Sequence, residues 1–317
     1  MARIDTHQHI VPDLYRKALR RHGIGDLPSL SWPDWTPDLA LDASELLGVD
    51  RAILSVSAPG TTFTADAHEA TSLARRLNDY TRDLVGLYPN RFGFFATLPM
   101  PHIGASVAEA VRALDELAAD GIVLLANSGG VYLSQAGQDE LFGVLDDRSA
   151  VVFIHPNALP AAPPDGVPPF AVDFLLDTTR AAYLLVRNGI RARFPNIHFI
   201  LSHGGGFVPY ASHRMAFSLE LETGNPAEEM LALLSSFYFD TAVTSSPASL
   251  PSLLAFADSG HVVYGSDWPF LPADAARRFT GHLGRYLGLD DRARAAIDRG
   301  NAEKIWGTPP PTRDEVG

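Results

Sequence analysis

Eight short apolar runs recur along this chain, and the stretches between them have helical period. The runs cover residues 2–10, 49–57 (VDRAILSVS), 91–98 (RFGFFATL), 121–126 (GIVLLA), 151–155 (VVFIH), 197–202 (IHFILS), 237–241 (FYFDT) and 261–265 (HVVYG). They are rich in the β-branched and aromatic residues that strands favour. Amphipathic stretches fall at 38–47, 65–87, 105–119, 138–147, 172–194, 227–235 and 246–257. A helix between successive strands makes those strands parallel, and eight such units predict an α/β chain folded as a (β/α)8 TIM barrel. The segment from Leu271 onward keeps helical period and completes the outer ring. The expected organisation is one barrel domain over residues 1–307, followed by a loose Pro-rich tail at 308–317.

Two segments break this rhythm. Residues 11–37 form an insertion after the first strand that carries Trp32, Pro33, Trp35 and Pro37, and residues 158–169, after the fifth, hold five prolines. In a barrel both rise over the face formed by the C-terminal strand ends, so both are expected to serve as lid or pocket wall.

Composition narrows the chemistry. There are no cysteines, so any metal must sit on histidine and carboxylate ligands. The balance of 25 basic against 37 acidic residues gives a net charge of -12, with no cluster of Lys or Arg. Nucleic acid is therefore not an expected partner. Nor is a membrane: no apolar run approaches the roughly 20 residues needed to span a bilayer. No secretory signal pattern opens the chain, and a cytoplasmic enzyme is the expectation.

The strongest motif is Asp5-Thr6-His7-Gln8-His9. Residues two apart in a strand point to the same side, so His7 and His9 project together. An isolated His-x-His is more often a pair of buried, hydrogen-bonded histidines than a chelate. Position changes that reading. His155 ends the fifth run, His203 ends the sixth (FILSHGGG), and Asp267 follows the eighth (VVYGSDWPF). Each stands where an apolar run abruptly yields to a polar residue, at the strand ends where catalytic groups of a barrel converge. Imidazole and carboxylate donors suit one divalent ion, Zn2+ first, with Mn2+, Fe2+ or Co2+ as alternatives. Such an ion either lowers the pKa of bound water to about 7 or polarises a substrate oxygen.

With these motifs in this order, DTHQHIVP, IHP, SHGGG and GSDWPF, the chain resembles the amidohydrolase-related decarboxylases typified by aminocarboxymuconate-semialdehyde decarboxylase. The stretch SWPDWTP and the strand ending in SAPG look most similar to the 6-methylsalicylate decarboxylase-like branch. The resemblance implies metal ligands at His7, His9, His155 and Asp267, and a proton-handling histidine at His203. It also implies a dimer or tetramer, and places Arg214 where the family has an arginine that either reaches a neighbouring subunit's site or pairs with a local acid. Gly204-Gly205-Gly206 allows close backbone approach and can offer N–H groups to an anion.

The chain departs from the type enzyme at Ser31-Trp32-Pro33-Asp34-Trp35, which lacks the arginine that there helps hold a substrate carboxylate, and so argues against the dicarboxylate muconate semialdehyde. Trp32 and Trp35 point instead to a flat aromatic substrate; Phe270 is a further candidate for the pocket wall, although buried aromatics are more often core. The expected reaction is non-oxidative decarboxylation of a salicylate-type acid, with Asp267 or His203 delivering the proton. The rival is a mononuclear hydrolase of a lactone, ester or amide. A binuclear site is disfavoured, because the only lysines are Lys17 and Lys304 and neither lies at a strand end to be carbamylated.

Overall fold

The structure is a computed structural model that describes residues 2–25 and 32–306; Ser31 and the expected tail at 308–317 lie outside the described residues. Eight parallel strands follow one another around a barrel: Arg3–His9, Val49–Ser55, Phe92–Thr97, Gly121–Leu125, Val151–His155, His198–Leu201, Tyr238–Asp240 and Val262–Val263. They match the eight apolar runs, trimmed by a residue or two at their ends. The ring closes through backbone bonds between the first strand and the residues after the eighth. Thr6 N donates to Tyr264 O (2.9 Å), Asp267 N to His7 O (2.8 Å) and His9 N to Trp268 O (2.7 Å).

Inside the barrel, Ile4, Ile53, Phe95, Val123, Val151, Phe153, Ile200 and Val263 make an apolar plug, backed by Ala302, Ile305 and Trp306 of the final helix. A larger core fills the layer between strands and helices. The plug ends abruptly toward the C-terminal rim, where the buried residues become His7, His9, Ser55, His155, Ser202 and Asp240. Polar groups buried at that depth need partners: His7 pairs with Asp240, His9 with Ser55 and His155 with the Pro156 carbonyl.

The outer layer differs from the sequence reading in three places. The stretch 172–194 is two helices, Asp173–Arg187 and Ile190–Arg193, because Gly189 takes the left-handed conformation (φ 73°) between them. The insertion after the first strand contains a helix, Asp13–Arg21, whose Tyr15 and Leu19 are buried. A two-residue hairpin, Asn127–Ser128 with Val131–Tyr132, follows the fourth strand. Among the described residues, no helix is long and apolar enough to cross a membrane.

One carboxylate pins the closure. Asp5 is fully buried, and its Oδ1 accepts from His7 N (3.0 Å) and Ser266 N (3.1 Å), joining the first strand to the segment that delivers Asp267. Asp5→Ala would leave two buried N–H groups unpaired, at about 1–3 kcal/mol each. Asp5→Asn keeps an acceptor oxygen in place. Denaturant unfolding should show the alanine variant losing several times more stability than the asparagine variant; equal losses would mean that Asp5 does not hold the closure.

Candidate metal centre

His7 and His9 leave the first strand on the same side, as their spacing of two requires. His155 ends the fifth strand, and Asp267 is carried by the turn after the eighth. These four residues each offer one ligand atom, and all those atoms lie within 4.8 Å of one another. His7 Nε2 and His9 Nε2 are 3.0 Å apart, and each is 3.3 Å from Asp267 Oδ1. The other carboxylate oxygen of Asp267 lies 3.4 Å from His203 Nε2. Asp267 therefore spans the two halves of the site, one oxygen facing the histidine cluster and the other facing His203.

Hydrogen bonds fix the tautomers. His7 Nδ1 donates to Asp240 Oδ2 at 2.6 Å, and His155 Nδ1 donates to the Pro156 carbonyl at 2.9 Å. Both acceptors lack a proton, so both Nδ1 atoms carry one. Ser55 Oγ, which donates to Gln8 O, lies 3.0 Å from His9 Nδ1 and accepts from it. All three imidazoles thus aim the unprotonated Nε2 at a common point, the orientation that metal-binding histidines take when a second group holds the other nitrogen.

The donor set fits one divalent cation. Two imidazole lone pairs converging at 3.0 Å repel unless a positive charge lies between them. Without an ion, a proton does this duty. Burial would push His7 down, yet the charges of Asp240 and Asp267 beside it raise it to about 10. Burial holds His9 down at about 4 and His155 well below its ordinary value. For Asp267 burial acts upward, but the charge on His7 and the hydrogen bonds from His203, His7 and His9 hold it well below the usual carboxylate range.

The remaining expected site residues divide. His203 N donates to Asp240 Oδ1 (2.8 Å), so the carboxylate that orients His7 also anchors His203. Phe270 packs edge-on against His9 with centroids 5.4 Å apart, and Trp32 packs on Phe270 at 5.8 Å, so the insertion and the loop after the eighth strand make an aromatic wall beside the cluster. Trp35 lies in the apolar core, its ring 6.5 Å from that of Tyr80. Arg214 is exposed on the helix Val208–Thr223 and is not brought to the cluster within its own chain. The N–H groups of Gly205 and Gly206 are spent on Ser202 O and His203 O. The glycines serve close packing: a Cβ on Gly206 would sit 2.2 Å from Leu175 O.

Asp240 and Ser55 carried no assignment from sequence. The only signal for Asp240 is a buried-strand pattern, FYFDT, that ends in an acid at the rim.

The amidohydrolase family profile matches residues 4–308. The chain belongs to the amidohydrolase family. Among individual relatives, it is 37% identical to 6-methylsalicylic acid decarboxylase of Penicillium expansum over 318 residues, covering 96% of each chain. A crystal structure of an amidohydrolase II superposes with a TM-score of 0.90 at 31% identity, covering 96% of this chain and 99% of that one. A 5-carboxyvanillate decarboxylase of Novosphingobium aromaticivorans, solved with manganese and a nitrobenzoic acid, superposes with a TM-score of 0.81 at 20% identity over 96% of each chain. That last likeness speaks to the amidohydrolase fold alone.

Asp240→Asn tests how the site is held. Its carbonyl would still accept from His203 N, leaving an NH2 group to face His7 Nδ1. That forces the proton onto Nε2, the wrong tautomer for a ligand. Metal affinity should fall about 10–100-fold, measured by competition with a chromophoric chelator, while the circular dichroism spectrum shows the variant still folded. Unchanged affinity would show that Asp240 does not orient His7.

Proposed function

We propose that this amidohydrolase catalyses the metal-dependent, non-oxidative decarboxylation of an ortho-hydroxy aromatic carboxylic acid. The observation that carries the reading is the pairing of one cluster of three imidazoles and a carboxylate with a separate histidine, His203, bridged to it by Asp267. The relative from Penicillium expansum, a 6-methylsalicylic acid decarboxylase, supports the aromatic substrate. So does the wall formed by Phe270 and Trp32, whose ring faces match a flat ligand.

A divalent ion held by His7, His9, His155 and Asp267 would supply Lewis acidity toward the substrate's carboxylate and phenolic oxygens. The chain's own groups manage the proton. Loss of carbon dioxide from an aromatic ring requires protonation of the carbon that bears the carboxylate. His203 and Asp267 are the members of the site with the most exposure, 9% and 14% of the side chain, so they are the two that a proton from solvent reaches first. Their 3.4 Å separation lets it pass between them. Asp240 holds His203 through its backbone while this happens, and Phe270 and Trp32 orient the ring and keep water from the reacting carbon. For the ion we place zinc first, on the three-imidazole donor set, with manganese, the ion in the 5-carboxyvanillate decarboxylase, as its rival.

One ion suffices for this chemistry. The described residues hold one group able to bind a metal, and Lys17 is an exposed residue of the insertion helix while Lys304 bonds to Asn301, so neither bridges a second ion.

The deciding experiment incubates zinc- and manganese-loaded protein with 6-methylsalicylate, salicylate and 2,6-dihydroxybenzoate, beside simple lactones and aryl esters, and follows carbon dioxide and product by mass spectrometry. Carbon dioxide should come from at least one hydroxybenzoate. His203→Asn should lower kcat about 10²–10⁴-fold with metal content retained, whereas Asp267→Asn should lose both turnover and metal. Ester or lactone hydrolysis without carbon dioxide would move the chain to the mononuclear hydrolases.

A further inference from the structure

The turn that follows His155 is fastened by a carboxylate that lies outside the metal cluster. Asp177 stands on the helix Asp173–Arg187 and is fully buried. Its Oδ2 accepts from Asn157 N (2.9 Å) and from Asn127 Nδ2 (3.0 Å), and its Oδ1 accepts from the same amide (2.9 Å). Asn157 Nδ2 in turn donates to Asn127 O (3.1 Å), which closes a ring of three residues. Asn127 opens the hairpin after the fourth strand, and its Oδ1 accepts from Gly130 N (3.0 Å). The ring thus ties together the hairpin, the turn after the fifth strand and the helix behind them. Asp177 only accepts within it, as an ionised carboxylate does.

One of these bonds leads to the metal centre. The Pro156 carbonyl, which accepts from His155 Nδ1 (2.9 Å), and the Asn157 N–H, which donates to Asp177, belong to a single peptide unit. That unit is planar, and its C–N bond has partial double-bond character. A negative charge against its N–H pushes electron density onto its carbonyl oxygen, so the two hydrogen bonds strengthen one another. The oxygen then accepts more strongly from Nδ1, and the imidazole becomes a better donor at Nε2. The plane is also fixed in rotation, because both of its polar ends are bonded.

We infer, on the metal-centre reading proposed above, that Asp177 is a positioning residue that acts on His155 through the Pro156–Asn157 peptide. Each imidazole of the cluster then has its own backing. His7 has the Asp240 carboxylate directly, His9 has the Ser55 hydroxyl, and His155 has a carboxylate one peptide away. The ring also gives the hairpin Asn127–Ser128 with Val131–Tyr132 a purpose: it holds Asp177 in line with the peptide.

The test uses the full chain, zinc alone as the probe, and Asp177→Asn, which keeps the shape of the side chain and removes its charge. Zinc affinity, by competition with a chromophoric chelator, should fall about tenfold, the lower end of the range for outer partners of a ligating histidine. In the metal-free protein, the NMR resonance of the His155 Nδ1 proton should move upfield as its hydrogen bond weakens. That of the His7 Nδ1 proton, bonded to Asp240, should stay in place. His155→Gln and His7→Gln assign the two resonances. Asp120→Asn is the control. That carboxylate also accepts from a backbone N–H, that of Phe94 (2.9 Å), but at the opposite end of the barrel, and the variant should keep wild-type zinc affinity. Should Asp177→Asn fail to fold by circular dichroism, Asn127→Ala, which removes the brace on the carboxylate, carries the test with shifts in the same directions. An unmoved His155 proton in the folded variant overturns the inference, and so does unchanged zinc affinity. Equal movement of the His7 proton, or an equal loss from Asp120→Asn, overturns it too, because either reports general loosening. A wild type that binds no zinc overturns the metal reading instead, and the His155 proton then decides whether Asp177 acts on the imidazole.

Discussion

The site depends on how the barrel closes. Asp267 lies 260 residues from His7, and nothing local brings them together. The bond from Asp267 N to His7 O does, in register with those from Thr6 and His9. It places the Asp267 carboxylate 3.3 Å from two imidazoles while its backbone takes the left-handed conformation (φ 61°), which a residue with a side chain adopts only under constraint. His203 is held the same way (φ 54°), its N–H drawn to Asp240. Asp267 and His203 are thus kept in unfavourable backbone conformations by bonds to the ring, a cost of about 1–3 kcal/mol each that the packed scaffold supports.

Charge follows from that geometry. The centre is almost sealed, so each ionised group must be matched inside it. Two carboxylates face the three imidazoles: Asp267 from one side, and Asp240 from behind His7. Together they would balance one divalent cation held among the imidazoles. Asp5, close by, accepts from the N–H groups of His7 and Ser266, yet burial is its largest influence and pushes it up to about 6.

How much of this was legible in the sequence depends on whether the information was local. The strands were, because a buried parallel strand is a continuous apolar run. So was the cluster that could hold a metal, because each of its members is a polar residue at the end of such a run. Asp240 has the same signature in FYFDT, but its importance lies in contacts to His7 and His203, 233 and 37 residues away, and no spacing encodes those. The tryptophans of the insertion show the converse. Trp32 and Trp35 look interchangeable in SWPDWTP, yet one packs on Phe270 and the other enters the core beside Tyr80. The helix Asp13–Arg21 was hidden because it is short and is followed by a stretch whose prolines and tryptophans read as irregular.

Amidohydrolases use this metal scaffold for different reactions, so the strand ends alone do not choose among them. What surrounds the centre does. Among the described residues, no Lys or Arg side chain hydrogen-bonds or ion-pairs with the cluster, and Arg214 faces outward on its own chain. Within one chain, the positive charge that meets an anionic substrate must then come from the ion. That requirement favours an acid with a second oxygen next to its carboxylate over a neutral ester or lactone, because only the former brings two donors to the same charge. The aromatic wall beside His9 adds flatness to the requirement. An ortho-hydroxy aromatic acid meets both conditions, whereas a dicarboxylate would leave its second anion facing Phe270 and Trp32 without a partner.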